Sequence, residues 1–176
     1  GSAYILENVD GNWQIVQKIC ANERIANTRF GTTVAIWGDY IAVGAIGKSE
    51  APYVNLGVVY VFKNNAGVWT QINKLLPSDP ENDCGFGNSI DIENNTLIVG
   101  AESKKNGTAY NVGAVYIYEL VNNSWSFSQK LMASDCSAGD IFGCSVAISL
   151  EYIITGAYVQ DKNATGRCTR IIDGAY

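Results

Sequence analysis

Residues 86–101, with the sequence FGNSIDIENNTLIVGA, decide the fold of this chain. Two short runs of β-forming side chains, residues 89–92 and 97–101, flank the polar tripeptide Glu93-Asn94-Asn95. Two such runs joined by a short Asn-rich turn are typical of a β-hairpin. We therefore predict an antiparallel hairpin that begins with the dipeptide Phe-Gly.

The same hairpin recurs at a constant interval of 56 residues. The repeated positions include Phe30, Phe86 and Phe142, then Trp13, Trp69 and Trp125, and then Gly44, Gly100 and Gly156. A second hairpin, which carries the tryptophan on its second strand, precedes each Phe-Gly hairpin. Each period therefore predicts four antiparallel strands, which is the content of one β-propeller blade.

The repeated glycines and tryptophans have predicted packing roles. The glycine that precedes alanine on the second strand of each Phe-Gly hairpin, such as Gly100, allows another backbone to approach closely. The tryptophans recur at a structural period, which favours a core position over a platform for ligands.

Composition excludes several classes of function. Apolar residues make up 47% of the chain, which indicates a globular protein. A net charge of −5 without a basic run argues against binding nucleic acid, and no apolar run is long enough to span a membrane. The chain has no histidine, which excludes histidine-based catalysis and zinc sites that use histidine ligands. Of the acids that could serve a glycoside hydrolase, only Asp91 is predicted on an inner strand, and we expect no enzyme activity.

The repeated motif resembles a known family. The Phe-Gly…Val-Gly-Ala pattern of residues 86–101, followed by Gly-Ala-Val-Tyr-Ile-Tyr at 113–118 and by Trp125 with Gln-Lys-Leu at 129–131, is similar to the FG-GAP repeat. This repeat builds the β-propeller of integrin α chains and of many secreted proteins. The resemblance implies an all-β fold of four-stranded antiparallel blades, in one FG-GAP repeat domain at 1–176 with units at about 1–56, 57–112 and 113–176. It implies little about function, because a propeller is a scaffold.

The resemblance also raises the question of calcium. Many FG-GAP repeats carry a calcium loop with acidic residues at alternate positions, and Asp79, Glu81 and Asp83 alternate in the loop before Phe86. Carboxylate oxygens in such a pattern suit a hard cation. Solvated loop acids are the alternative interpretation, since residues 22–27 of the first unit lack the pattern. We expect no other cofactor.

Glycosylation sequons and cysteines indicate a secreted protein. Sequons begin at Asn94, Asn106, Asn122 and Asn163, all in predicted turns or loops, where a glycan can be accommodated. The disulfide candidates are Cys84, Cys136, Cys144 and Cys168, whose spacing leaves three pairings open. Bridges among them would place the chain in an oxidising, extracellular compartment.

The number of repeats leaves two functions open. Three blades cannot close a propeller, which needs about four to eight. Copies of the chain could join head to tail into a ring or a filament, as a structural or adhesive assembly. Alternatively, the chain is a fragment of a closed integrin-like propeller whose loops bind a protein or carbohydrate ligand. The C-terminal Asp-Gly-Ala-Tyr at 173–176 resembles Gly-Ser-Ala-Tyr at 1–4, which suggests that a further unit begins there.

Overall fold

All regular secondary structure of the chain is β-strand in the part that the computed structural model describes, residues 1–158. The strands are β1 (Ala3–Val9), β2 (Asn12–Ile19), β3 (Phe30–Trp37), β4 (Tyr40–Ala45), β5 (Val58–Asn65), β6 (Val68–Leu75), β7 (Phe86–Glu93), β8 (Thr96–Ala101), β9 (Ala114–Val121), β10 (Ser124–Leu131), β11 (Val146–Ser149) and β12 (Tyr152–Thr155). The predicted hairpin is β7–β8, in which Ile92 pairs with Leu97 across a turn where Asn94 has a φ of 53°.

The strands form two complete blades and two half-blades. Blade 1 has the order β3-β4-β5-β6 and blade 2 the order β7-β8-β9-β10, with antiparallel neighbours throughout. The N-terminal half-blade is the pair β1–β2, and the C-terminal half-blade is the pair β11–β12. The all-β, blade-like fold predicted from the repeat is thereby confirmed.

Each complete blade combines strands from two successive sequence units. In blade 1, the Phe-Gly hairpin β3–β4 comes from residues before 56, and the hairpin β5–β6 comes from residues after it. Blade 2 straddles the next unit boundary in the same way. The two half-blades are consequently the outer half and the inner half of a blade.

The Phe-Gly strands lie at the inner edge of the array, next to one another. Thr33 Oγ1 on β3 donates a hydrogen bond to the carbonyl oxygen of Gly87, 2.6 Å away. One unit later, Ser89 Oγ donates to the carbonyl oxygen of Gly143 at 2.7 Å. A Cβ at Gly100 would lie 2.1 Å from that same Gly143 oxygen. The predicted close approach at this glycine is therefore confirmed.

The core lies between the blades, and the tryptophans of the outer strands fill it where a neighbouring sheet exists. Trp125 is 3% exposed and meets Tyr40 of blade 1 edge-to-face, with ring centroids 5.6 Å apart. Trp69 is also buried, in the cluster shared with the N-terminal half-blade. The predicted core role is wrong for Trp13, which is 70% exposed, because no described sheet covers that side of the N-terminal half-blade.

Candidate functional site

Two clusters of lysine, carboxylate and tyrosine side chains connect the blades at equivalent repeat positions. In the first cluster, Tyr60 Oη donates a hydrogen bond to Glu23 Oε1 at 2.8 Å, and Lys74 Nζ lies 2.9 Å from the same oxygen. Lys48 Nζ lies 2.6 Å from Glu50 Oε1 and 3.6 Å from Glu23 Oε2. Lys48 is buried, so its ammonium depends on these carboxylates for compensation.

The second cluster repeats this arrangement one unit later, except that its second carboxylate, Glu81, is not at the repeat position of Glu50. Tyr116 Oη donates to Asp79 Oδ1 at 2.7 Å, and Lys130 Nζ lies 2.8 Å from Asp79 Oδ2. The buried Lys104 has its Nζ 3.2 Å from Asp79 Oδ2 and 3.6 Å from Glu81 Oε2. Each cluster thus ties a loop of one unit to the outer strands of the next.

The surroundings of Asp79 and Tyr116 hold each side chain in one protonation state near neutral pH. Burial acts to raise the pKa of Asp79, but the hydrogen bonds from Lys130 and Tyr116 and the charge of Lys104 outweigh it and hold that pKa below the ordinary value. Burial, reinforced by the hydrogen bond to Asp79, raises the pKa of Tyr116. The phenol therefore stays a proton donor and the carboxylate stays ionised, which suits a structural clamp more than a site of proton transfer.

The structure brings together two of the three predicted calcium ligands. Asp79 and Glu81 share Lys104, whose ammonium lies between their carboxylates. Asp83 points elsewhere and accepts a hydrogen bond from Asn55 Nδ2 at 3.0 Å. Within residues 1–158, no group of three or more histidine, cysteine or acidic side chains could hold a metal ion. The calcium site stays a prediction.

The buried lysines were missed by the sequence reasoning. A single lysine in a polar loop is usually solvated, so the sequence pattern predicts no special role for Lys48 or Lys104. The available signal was their recurrence at the same 56-residue interval as the tryptophans.

Replacing Lys104 with methionine tests whether its ammonium is the cation of the second cluster. Methionine retains most of the apolar stem but removes the charge, and we expect the free energy of unfolding to fall by roughly 1–3 kcal/mol. The partial exposure of Asp79 and its remaining contact with Lys130 keep the loss in this range. Urea denaturation measures the change.

The neighbouring Lys105 provides the control for this substitution. Its Nζ lies 4.7 Å from the ring centroid of the exposed Tyr110, so Lys105→Met should cost at most about 1 kcal/mol. Equal losses in the two variants would contradict the clamp role of Lys104. A lower melting temperature of the unmutated protein after chelation would instead support the predicted calcium site.

The predicted sequons lie at exposed turns where the structure describes them. Asn94 is in the β7–β8 turn, Asn122 is in the β9–β10 turn, and Asn106 is in the long loop after β8. Asn163 lies outside the described residues. Exposure is what a glycan requires, and glycosylation at these positions stays a prediction.

The cysteines described by the structure are free thiols. Cys84 is fully buried, and its Sγ lies 3.1 Å from the carbonyl oxygen of Leu56. Cys20, Cys136 and Cys144 are partly exposed. Cys168 lies outside the described residues, so the predicted bridges stay a prediction.

Exposed apolar side chains lie at both ends of the array that residues 1–158 form, on blade 1 next to the N-terminal half-blade and on the C-terminal half-blade. At the N-terminal end, Ile36 on β3 is 62% exposed, whereas its repeat equivalent Ile92 is 3% exposed. At the C-terminal end, Ile154 on β12 is 71% exposed, whereas its equivalent Ile98 is fully buried. The same sequence position is buried between blades and exposed at the ends.

A groove of about 460 Å³ marks the N-terminal end. It runs between the N-terminal half-blade and blade 1, and its lining is mainly apolar: Ala3, Ile5, Leu6, Val34, Ile36 and Ile41 contribute to it. Its apolar lining suits the side chains of another sheet more than a polar small molecule.

In residues 1–158, no helix has the length and apolar character that crossing a membrane would need.

Comparisons with known proteins identify the family of the chain. No curated protein matches the chain. The family model described as the FG-GAP repeat matches residues 13–62, 69–118 and 125–167, which is most of the sequence. These three matches, which begin at the same 56-residue interval as the repeated tryptophans, show that the chain belongs to the FG-GAP repeat family.

Proposed function

We propose that this chain is a non-enzymatic, extracellular glycoprotein repeat domain that assembles head to tail in a structural or adhesive role. One observation carries the proposal: the two ends of the array formed by residues 1–158, β1–β2 and β11–β12, are complementary halves of a single blade. The family membership supports an adhesion-type scaffold, since FG-GAP repeats occur in cell-surface proteins such as integrins.

Burial of the exposed apolar area at the ends would favour their association. Isolated apolar side chains are common on protein surfaces, but contiguous sheet faces usually mark interfaces. Contact between the C-terminal end of one copy and the N-terminal end of the next is heterologous. Such a contact closes into a ring if the rotation permits and otherwise continues as a filament.

The side-chain chemistry favours a binding or structural role over catalysis. Asp91, the acid predicted on an inner strand, accepts a hydrogen bond from the backbone N–H of Ile148 at 2.9 Å. That contact uses the carboxylate to join β7 to β11. The acids whose pKa is lowered, such as Glu23 and Asp79, are held in the lysine clusters.

The mass of the purified protein across a wide concentration range tests the proposal. We expect light scattering to report multiples of the chain mass that grow with concentration, and negative-stain microscopy to show rings or filaments. A monodisperse monomer at every concentration would contradict self-assembly. It would favour the alternative in which further repeats of a longer chain cover the same ends.

A further inference from the structure

The free edges of the two half-blades correspond to strands that pair inside the complete blades. In blade 2, β8 pairs antiparallel with β9, and Ile98 lies opposite Ile117. At the ends of the molecule, β12 is the repeat equivalent of β8 and β1 is the equivalent of β9. Neither has such a partner within residues 1–158. The blade register therefore specifies how β12 of one copy would meet β1 of another, with Ile154 opposite Ile5.

The apolar groove matches the side chain that this register would bring to it. Inside the molecule, Ile98 and Ile117 pack with Val146 and Ile148 of the next inner strand. Moved by one repeat, these positions become Ile154 of one copy and Ile5, Val34 and Ile36 of the next. The last three line the N-terminal groove, and Val34, Ile36 and Ile154 are all largely exposed.

The polar residues at the two ends are complementary as well. In both lysine–carboxylate clusters, the carboxylate comes from one sequence unit, and the tyrosine and one lysine come from the next. In the second cluster these groups are Asp79, then Tyr116 and Lys130, with Lys130 Nζ 5.9 Å from the Tyr116 ring centroid. The third unit has the equivalent carboxylate, but the tyrosine and the lysine that would bind it are not among the described residues.

Those two missing residues are present at the opposite end of the molecule. Tyr4 and Lys18 occupy the repeat positions of Tyr116 and Lys130, and Lys18 Nζ lies 5.5 Å from the Tyr4 ring centroid. Lys18 makes no ion pair with a residue in the described range. Asp135 occupies the position of Asp79, is exposed, and likewise has no ion pair among the described residues.

A hydrogen-bonding glutamine on the outer strands is a further group that is paired between blades and unpaired at the C-terminal end of the described residues. Gln17 on β2 donates its Nε2–H to the carbonyl oxygen of Trp69 at 2.9 Å, and its Oε1 accepts from the Trp69 N–H at 2.9 Å. Gln129 on β10 is the equivalent of Gln17 two units later, and it is exposed. The equivalent of Trp69 for Gln129 is Trp13 of a following copy.

We propose that the occupant of the C-terminal end is a second copy of this chain, whose β1 adds to β12 and whose Tyr4 and Lys18 bind Asp135 of the first copy. The proposal rests on the proposed self-assembly and assigns its register and its ionic contact. Gln129 of the first copy holds the backbone of Trp13 of the second, and Ile154 fills the second copy's groove. The contact completes one four-stranded blade from two chains.

Charge exchange at this contact gives a selective test. Asp135→Lys and Lys18→Glu each place like charges together at the contact. We expect the dissociation constant for self-association of each variant alone to be at least about tenfold higher than that of the unmutated protein. An equimolar mixture of the two variants should assemble again, because the introduced lysine of one chain meets the introduced glutamate of the other and the reciprocal contact is native. Sedimentation velocity measures both effects.

A charge reversal away from the ends serves as the matched control. Glu119 is exposed on β9 of the complete blade 2, so Glu119→Lys makes the same change in net charge as Asp135→Lys without touching the proposed contact. We expect it to leave association unchanged. Circular dichroism and thermal melting of every variant establish that each one folds.

The outcomes separate this proposal from the self-assembly on which it rests. Association that persists in both single variants, or that the mixture does not restore, overturns the Asp135 contact but leaves self-assembly standing. A monomer at all concentrations overturns both. A monomer destabilised by Asp135→Lys would show that the chain's own residues, and not a second copy, occupy this end.

Discussion

Replacing Trp125 with alanine is expected to lower the free energy of unfolding by about 3–5 kcal/mol. The indole is 3% exposed between blade 2 and blade 1, where it packs edge-to-face on Tyr40. Alanine would leave a cavity between two sheets. Because the hydrogen-bonded ladder within each sheet keeps its backbone rigid, the sheets can move little to fill that cavity. Chemical denaturation monitored by far-UV circular dichroism measures the loss.

Trp13 is the internal control for this substitution. It occupies the same repeat position but is 70% exposed, so Trp13→Ala should change the stability of the monomer by no more than about 0.5 kcal/mol. The same variant should weaken self-assembly, because Trp13 would become the interblade tryptophan of the blade formed from two chains. Equal destabilisation of the monomer by the two alanines would contradict the blade arrangement.

Replacing Gly57 with alanine is the second large effect that we expect. Gly57 precedes β5 and lies against the inner strand of blade 2, where Phe86 N–H donates to the carbonyl oxygen of Leu56 at 3.2 Å. A Cβ at Gly57 would lie 2.1 Å from the Phe86 carbonyl oxygen, and the residue has a φ of +84°. The clash and the left-handed backbone together should cost roughly 2–5 kcal/mol, or prevent folding.

Gly67 distinguishes the two contributions to that loss. It has a φ of +88° in the β5–β6 turn, but a Cβ there would meet nothing within 4 Å. Gly67→Ala should therefore cost only about 1–2 kcal/mol, which is the contribution of the backbone conformation alone. If Gly57→Ala were no worse than Gly67→Ala in thermal melting, the close contact between the blades would be disproved.

The local structure could be predicted because it depends on local chemistry. The turn at Glu93-Asn94-Asn95 and the β-forming runs beside it specify a hairpin without reference to the rest of the chain. The interval from Phe30 to Phe86 then specifies how often that hairpin recurs. The packing of blade on blade follows, since one four-stranded sheet cannot bury both of its faces alone.

The environment of each repeated residue could not be predicted in the same way. A period states that Trp13, Trp69 and Trp125 are equivalent in sequence, but burial depends on which sheet lies alongside. The repeat interval also does not determine which two hairpins share a sheet, so the pairing of β4 with β5 across a unit boundary could not be predicted from it. Lys48 and Lys104 are the third case, because the burial of a loop lysine depends on carboxylates distant in sequence.

The offset between blades and sequence units makes the length of this array adjustable. Excising residues 57–112 would bring β4 next to β9, the repeat equivalent of its present partner β5. Such a shortened protein would have one blade fewer and would keep the same terminal hairpins. Tandem duplication of a unit would lengthen the protein with equally little disturbance. The contacts that the two ends can make are thus independent of the number of units between them. A change in that number would alter only the curvature and the size of the polymer.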